Sequence, residues 1–96
     1  MTLTEMRYIV ALARERHFGK AAETCHVSQP TLSVALKKVE SQIGAPLFER
    51  SSSDIRITPL GERIVAQATR VLEEAVKLEE IADATGDPLS GQLRVG

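Results

Sequence analysis

Apolar residues recur at helical spacing from the start of the chain. Steps of three and four ahead of Arg16 connect Leu3, Met6, Ile9, Val10 and Ala13. This periodicity predicts an amphipathic helix with one buried face. Thr2 stands just before the pattern and Glu5 follows three residues later, which is the spacing of a capping box. The first predicted helix therefore begins after Thr2 and ends near Arg16.

The next stretch, from His17 to Gly44, predicts two helices joined by a tight turn. A short helix is predicted at residues 20–25, where two adjacent alanines would let another helix pack closely. Ser28 followed by Pro30 is typical of an N-cap and a first helical turn. The buried face of this third helix is predicted to consist of Leu32, Leu36, Val39 and Ile43. Gly44 supplies the left-handed residue that commonly ends a helix.

A small hairpin and a long helix are predicted after residue 46. Residues 47–50 and 55–57 favour strands and flank a polar, Ser-rich segment. Thr58 and Pro59 then provide a cap and a first-turn proline. One face of the following helix, predicted at residues 59–83, consists of Leu60, Ile64, Ala68, Val71, Ala75, Leu78 and Ala82. This face is either core beneath another domain or an interface between two copies, and its a/d-like spacing favours the interface.

The last segment, residues 84–96, changes character. It contains Gly86 and Pro88 and closes on residues that read as the beginning of a strand. We expect a hinge here, followed by the start of a C-terminal domain that the sequence does not include. The predicted organisation is mainly α, with a head at residues 1–58, a long helix at residues 59–83 and this hinge.

The overall charge of the chain hides two regions of opposite sign. The 96 residues include 12 Lys and Arg against 13 Asp and Glu, which gives a net charge of -1 and a pI near 6.1. That balance alone argues against nucleic-acid binding, since such domains are usually basic. Residues 1–58, however, carry eight basic and six acidic side chains, a net +2, and residues 59–96 carry four and seven, a net -3. The average therefore describes neither region.

Composition excludes several classes of protein. The single cysteine, Cys25, cannot form an internal disulfide, and with His17 and His26 it matches no zinc-ligand spacing. The three aromatic residues are too few for platforms that stack single-stranded nucleic acid. No apolar run approaches the roughly 20 residues that span a bilayer, and no catalytic constellation or phosphate loop is present. We expect a cytoplasmic protein that is not an enzyme and uses no metal or cofactor, with Cys25 serving packing.

The outer face of the third helix carries the most informative side chains. Small or apolar residues at positions 22, 27, 32 and 35 stand where a helix-turn-helix packs, so the polar face must point outward. Gln29 can form paired hydrogen bonds to adenine, Val34 can touch a thymine methyl, and nearby lysines and arginines can hold phosphates. The hairpin would lie along the DNA backbone or minor groove as a wing. The candidate DNA-binding residues are Lys20, Ser28, Gln29, Pro30, Thr31, Ser33, Val34, Lys37, Arg50, Ser53 and Arg56.

Four linked motifs resemble one family. They are Ala-Ala-Glu at 21–23, Val-Ser-Gln-Pro-Thr-Leu-Ser at 27–33, Leu-Phe-Glu-Arg at 47–50 and Thr-Pro-Leu-Gly at 58–61. In this order and spacing they resemble the N-terminal DNA-binding domain of the LysR-type transcriptional regulators over nearly the whole chain. The resemblance implies a winged helix-turn-helix, with three helices and a small two-stranded wing. It further implies a linker helix that dimerises two copies and a C-terminal effector domain that starts near Gln92.

Two segments point to one branch of that family. Residues 17–26 and 88–96 are most similar to the peroxide-sensing OxyR branch. In that branch the redox-active cysteines belong to the later domain, so the resemblance implies that the sensing chemistry lies outside this chain. Many family members also place an Arg at the wing tip, whereas residues 51–54 read Ser-Ser-Ser-Asp. Arg56 is the nearest substitute for a contact with the minor groove.

The implied partners are promoter DNA with an interrupted inverted repeat and a second copy of the chain. A full-length regulator would add pairing into tetramers and contact with RNA polymerase. Some assignments stay open: Arg50 could pair with Glu49 or Asp54, and Lys20 could serve solubility. The alternative functions are a LysR-type regulator with a small-molecule inducer and a dimeric protein-interaction module that does not bind DNA.

Overall fold

Four helices and one antiparallel hairpin make up the described part of the chain, residues 1–51 and 54–85 of the computed structural model. Their order is α1 (Leu3–Glu15), α2 (Phe18–Thr24), α3 (Gln29–Ile43), β1 (Phe48–Arg50), β2 (Ile55–Ile57) and α4 (Pro59–Thr85). Ser53 and most of the predicted hinge, residues 86–96, lie outside the described residues. The predicted mainly α architecture, with three helices, a two-stranded hairpin and a long final helix, is confirmed.

Helix ends lie where the capping residues predict them. The Thr2 hydroxyl accepts a hydrogen bond from the Glu5 backbone N–H at 3.1 Å, and the Glu5 carboxylate accepts one from the Thr2 N–H at 2.8 Å. The Ser28 hydroxyl caps α3 by accepting from the Thr31 N–H at 3.2 Å. Gly44 ends that helix with φ +88°, in the left-handed region that glycine tolerates. The capping box, the N-cap and the glycine stop are therefore confirmed.

The second helix begins two residues earlier than predicted. It starts at Phe18 because the His17 ring caps it, with Nδ1 accepting from the Lys20 N–H at 3.0 Å. Histidine is not among the favoured N-cap residues, so the sequence pattern placed the start at Lys20 instead. His26, in the turn between α2 and α3, takes a left-handed conformation with φ 59°.

One apolar core joins α1, α2, α3 and the base of the hairpin. Its fully buried large side chains, each at most 1% exposed, are Ile9, Leu12, Leu32, Val39 and Leu47. Ala21 and Ala22 are also buried, so α2 can approach its neighbours closely. Of the buried face predicted for α3, Leu32, Leu36 and Val39 are buried and Ile43 is half-buried. The opposite face of α3 is consequently turned to solvent.

Two polar side chains connect the hairpin to its neighbours: Glu40 connects it to α3, and Thr58 connects it to the start of α4. The Glu40 carboxylate accepts from the backbone N–H groups of Leu47 at 2.7 Å and Phe48 at 3.2 Å. The buried Thr58 hydroxyl lies 2.9 Å from the Pro46 carbonyl oxygen and 3.1 Å from that of Leu47, and it accepts from the Gly61 N–H at 2.9 Å. These bonds set the direction in which α4 leaves the hairpin.

The apolar face of α4 divides into two parts. Leu60 and Ile64 pack against the core of their own chain, and Ala68 is buried beside α1. From Val76 to Ala84 every residue is exposed, and Leu78 retains 68% of its accessible surface. The first part is thus occupied within the chain, although the sequence pattern assigned the whole face to an interface between copies. Within the described residues, no helix is both long and apolar enough to cross a membrane.

Protonation of Glu5 is expected to destabilise the head at acid pH. It is 8% exposed, and the hydrogen bond from the Thr2 N–H, helped by Lys38 Nζ at 3.7 Å, holds its pKa below the usual value although burial opposes this. A carboxylate with a lowered folded-state pKa stabilises the fold above the unfolded-state pKa, and the contribution is lost as pH falls through the folded-state pKa. We expect Glu5→Gln to flatten the loss of stability between neutral and acid pH.

Urea denaturation across that pH range measures the effect. Glu80→Gln, at an exposed position of α4, serves as the control and should follow the parent chain. If Glu5→Gln and the parent lose stability in parallel, Glu5 does not carry the acid sensitivity.

Gly61 lies where the first turn of α4 meets the backbone of Leu47. A Cβ there would overlap the Leu47 carbonyl oxygen and lie 2.8 Å from Ile57 Cγ1. We expect Gly61→Ala to lower the free energy of unfolding by about 1–3 kcal/mol, because the backbone must shift to accept it. Arg63→Ala, on the exposed side of the helix, should change that free energy by less than about 0.5 kcal/mol. Chemical denaturation of both variants decides, and equal midpoints would contradict this close approach.

Candidate nucleic-acid interface

The outward face of α3 presents a row of polar and small side chains. Because Leu32 and Leu36 are buried beneath the helix, its opposite side faces solvent. The exposed members of the predicted set on this helix are Gln29, Pro30, Thr31, Val34 and Lys37. Val34 keeps 68% of its surface although it is apolar, and Ser33 is half-buried. The structure thus brings most of the predicted residues together on one face.

The first turn of α3 is held by a pair of hydroxyls. Ser28 Oγ and Thr31 Oγ1 lie 2.8 Å apart and share a hydrogen bond, in addition to the capping bond of Ser28. Gln29 and Pro30 occupy the first two helical positions and are exposed at the same end. This end carries the partial positive charge of the helix dipole, which favours a phosphate nearby.

Arg50, at the end of β1, contacts two other elements. Its guanidinium carbon lies 4.2 Å from the centroid of the Phe18 ring at the start of α2. Its Nη2 donates to Ser33 Oγ of α3 at 3.3 Å. In place of the carboxylate partner that the sequence left open, Arg50 therefore has an aromatic ring and a hydroxyl. The Asp54 carboxylate pairs with Arg56 Nε, 3.6 Å away.

The remaining basic candidates lie at the edges of this face. Lys20 is exposed on α2, and the Arg56 side chain is 77% exposed on β2, paired with Asp54. Lys38, also on α3, pairs with Glu5 of α1. The contact predicted for Ser53 lies outside the described residues.

A cleft of about 270 Å³ separates the start of α2 from the hairpin. Gln29 and Arg50 line it, together with Arg16, His17 and Phe18. Neither Arg16 nor Phe18 is among the residues predicted from the sequence to bind DNA. Phe18 and Arg50 stand far apart in the chain, and no local spacing could signal that their side chains meet.

Cys25 lies on another side of the head. Its thiol is 3.9 Å from the Arg7 carbonyl oxygen of α1 and lines a groove of about 530 Å³ between α1 and α4. Burial raises the pKa of the Cys25 thiol, against the opposing charge of Arg7. The thiolate is the reactive form of cysteine, so this environment disfavours reactivity. That agrees with the packing role predicted for Cys25.

The helical pattern and the hairpin match one family of regulators. Residues 3–62 match the family of bacterial regulatory helix-turn-helix proteins described as the lysR family. That match covers more than half of the chain. The chain belongs to the lysR family. The resemblance inferred from the four sequence motifs is therefore confirmed.

Similar lysR-family proteins include peroxide-response regulators. The chain is 45% identical over all 96 residues to the DNA-binding transcriptional dual regulator OxyR of Escherichia coli strain K12, and it covers 32% of that protein. A hydrogen peroxide-inducible genes activator of Pectobacterium carotovorum is 45% identical with the same coverage. The chain thus spans about a third of the length of these relatives, and its similarity to the OxyR branch is confirmed.

Solved lysR-family structures share the fold. The full-length OxyR C199D of Pseudomonas aeruginosa superposes with a TM-score of 0.87 at 62% identity, over 91% of this chain and 30% of that one. The BenM_DBD bound to catB site 1 DNA superposes with a TM-score of 0.84 at 31% identity, over 91% of this chain and 99% of that one. The predicted winged helix-turn-helix with a long final helix is confirmed by these similarities.

Proposed function

We propose that this chain is the DNA-binding and dimerising part of a bacterial transcription regulator of the OxyR type, which controls peroxide-response genes. The observation that carries the proposal is the exposed face of α3 from Gln29 to Lys37, with Arg50 beside it. An α-helix fits the major groove of B-form DNA, and a helix-turn-helix places its second helix there. In this arrangement α3 is the recognition helix.

The exposed side chains of α3 divide into two chemical groups. The Gln29 amide can donate to and accept from adenine, and the Val34 methyls can contact thymine. Thr31 keeps hydroxyl capacity for a base or phosphate beyond its bond to Ser28. Lys37 and Arg50 carry full charges at the two sides of the helix face and suit flanking phosphates. Base preference thus comes from the face of α3, and sequence-independent affinity from its borders.

Charge along the head supports the same placement. Residues 14–38 carry five basic and two acidic side chains, a net +3, within a chain whose total is -1. The acidic excess belongs to α4 and the segment after it. A duplex approaching α3 therefore meets a positively charged stretch of the chain. Neutralising the DNA phosphates there releases their counterions, which favours binding.

A second copy of the chain is the proposed occupant of the exposed part of α4. The helix has 27 residues, about 40 Å of length, and residues 76–84 are all exposed. Val76 and Leu78 are large apolar side chains with 51% and 68% of their surface exposed. Apolar positions at steps of three and four on a long helix suit pairing with a like helix. Pairing would present two α3 helices to the half-sites of an interrupted inverted repeat.

The relatives suggest the wider setting. Several relatives that are about three times as long, and similar to this chain over its whole length, are named hydrogen peroxide-inducible genes activators. We propose a division into the head at residues 1–58, the linker helix, predicted at 59–83 and extending to Thr85 in the structure, and a hinge that leads to an effector domain. The full regulator would act in the cytoplasm, pair further into tetramers and contact RNA polymerase. A regulator with a small-molecule inducer remains the alternative within the family.

Replacing Gln29 and Lys37 separates specificity from affinity. The operator is first obtained by selecting tight binders from randomised duplexes. Gln29→Ala is expected to reduce the preference for that operator over random duplex by about 1–3 kcal/mol. Lys37→Ala is expected to weaken both duplexes alike and to lower the dependence of log K on log salt by about one. Fluorescence anisotropy at a series of salt concentrations measures both quantities.

The control for these variants is Lys77→Ala, because Lys77 is exposed on α4 and pairs with Glu74. It should leave both affinities unchanged. Equal effects of Gln29→Ala on operator and random duplex would contradict the assigned division of roles. The absence of salt-dependent binding to either duplex would favour a protein-interaction module over a DNA-binding one.

Leu78→Glu tests the proposed pairing of α4. A carboxylate at this apolar position would lose hydration in a helix pair, so the dimer should weaken by about tenfold or more. Sedimentation equilibrium measures the change, and Glu79→Gln at the neighbouring exposed position is the control. An unaltered dissociation constant for Leu78→Glu would show that this part of α4 does not form the interface.

A further inference from the structure

Phe18 is the unexplained member of the cleft beside α3. Its ring packs against the core, while one face carries the Arg50 guanidinium at 4.2 Å from the ring centroid. We propose that Phe18 is a positioning residue that holds Arg50 ready for a phosphate of the DNA backbone. This inference rests on the proposed function, because it concerns the affinity of the same surface for duplex DNA.

Arg50 is contacted from two sides. The Phe18 ring is anchored in α2, and the Ser33 hydroxyl, which accepts from Arg50 Nη2 at 3.3 Å, is anchored in α3. A guanidinium can stack on an aromatic face with its N–H groups in its own plane, parallel to the ring, where they remain available as donors. Arg50 has five N–H donors and Ser33 uses one of them. The others can hold a phosphate in a bidentate pair.

The contact does not neutralise the charge of Arg50. The residue is exposed, and no carboxylate within residues 1–51 and 54–85 forms an ion pair with it. Asp54, the acidic residue of the hairpin turn, forms an ion pair with Arg56. A ring and a hydroxyl restrict the guanidinium without competing for its charge, so an anion still binds with full electrostatic attraction. Ser33 consequently supports Arg50 in addition to any contact with a base.

Pre-ordering a long side chain has a predictable effect on affinity. Immobilising a flexible side chain on binding costs an amount equivalent to about two- to tenfold in affinity. A chain in which Arg50 is already held does not incur that cost when DNA binds. Removing the ring face should therefore weaken binding by this factor, and only when Arg50 is present.

The test is a double-mutant cycle in the 96-residue chain, with variants Phe18→Leu, Arg50→Ala and both together. Phe18→Leu keeps an apolar side chain in the core but removes the ring, and Phe18→Tyr is the matched variant that keeps it. Affinities for the selected operator and for random duplex are measured by anisotropy. Phe18→Leu should weaken both duplexes about two- to tenfold, Phe18→Tyr should restore binding, and Phe18→Leu should add nothing in the Arg50→Ala background.

An equal loss from Phe18→Leu with and without Arg50 would overturn the inference, since Phe18 would then act through the fold. A wild-type chain that binds no duplex would overturn the proposed function and the inference together. That case is recognisable because neither wild type nor Arg50→Ala then shows binding to either duplex. A second readout needs no DNA: ring currents should shift the Arg50 side-chain protons upfield in wild type and Phe18→Tyr but not in Phe18→Leu. Unshifted Arg50 protons in wild type would also overturn it.

Discussion

Burial of one face of α3 is the constraint on which the rest of the molecule depends. Leu32, Leu36 and Val39 are withdrawn from water against α1, α2 and the hairpin base. When one face of a helix is buried in a core, the residues on its opposite face are necessarily exposed. The exposed row that begins at Gln29 and ends at Lys37 is the other side of that same packing. Recognition chemistry and core stability therefore come from one helix.

Polar contacts determine how the outer elements are arranged around this helix. Glu40, on α3 itself, accepts hydrogen bonds from two backbone N–H groups where the hairpin begins. Thr58, just after the hairpin, accepts one from the first turn of α4. The hairpin is thereby fixed against the recognition helix, which brings Arg50 over Phe18 and next to Ser33. The same Thr58 contacts direct α4 across α1, so that only the later turns of α4 are left uncovered. The proposed DNA-binding face of α3 and the proposed pairing surface of α4 thus lie at separate places.

Local signals predicted most of the fold and part of the candidate site. The capping box at Thr2, the N-cap at Ser28 and the stop at Gly44 depend on neighbours in sequence, and all three stand in the structure. The start of α2 was missed because an imidazole caps it. The contact of Arg50 with Phe18 could not be predicted either, since it depends on how the hairpin packs on α2. Periodicity likewise could not show which turns of α4 are covered by its own chain.

The claim that the outer face of α3 contacts DNA is tested by mapping the DNA-binding surface of the isotope-labelled 96-residue chain by nuclear magnetic resonance. Amide shifts are followed as a duplex selected for tight binding is added. Changes are expected to concentrate on Arg50 and on the exposed residues among 28–37, whereas the buried residues of α3 and residues 76–84 should change little. Changes confined to α4 or to the groove between α1 and α4 would contradict it, because the outer face of α3 would then not be the surface that meets DNA.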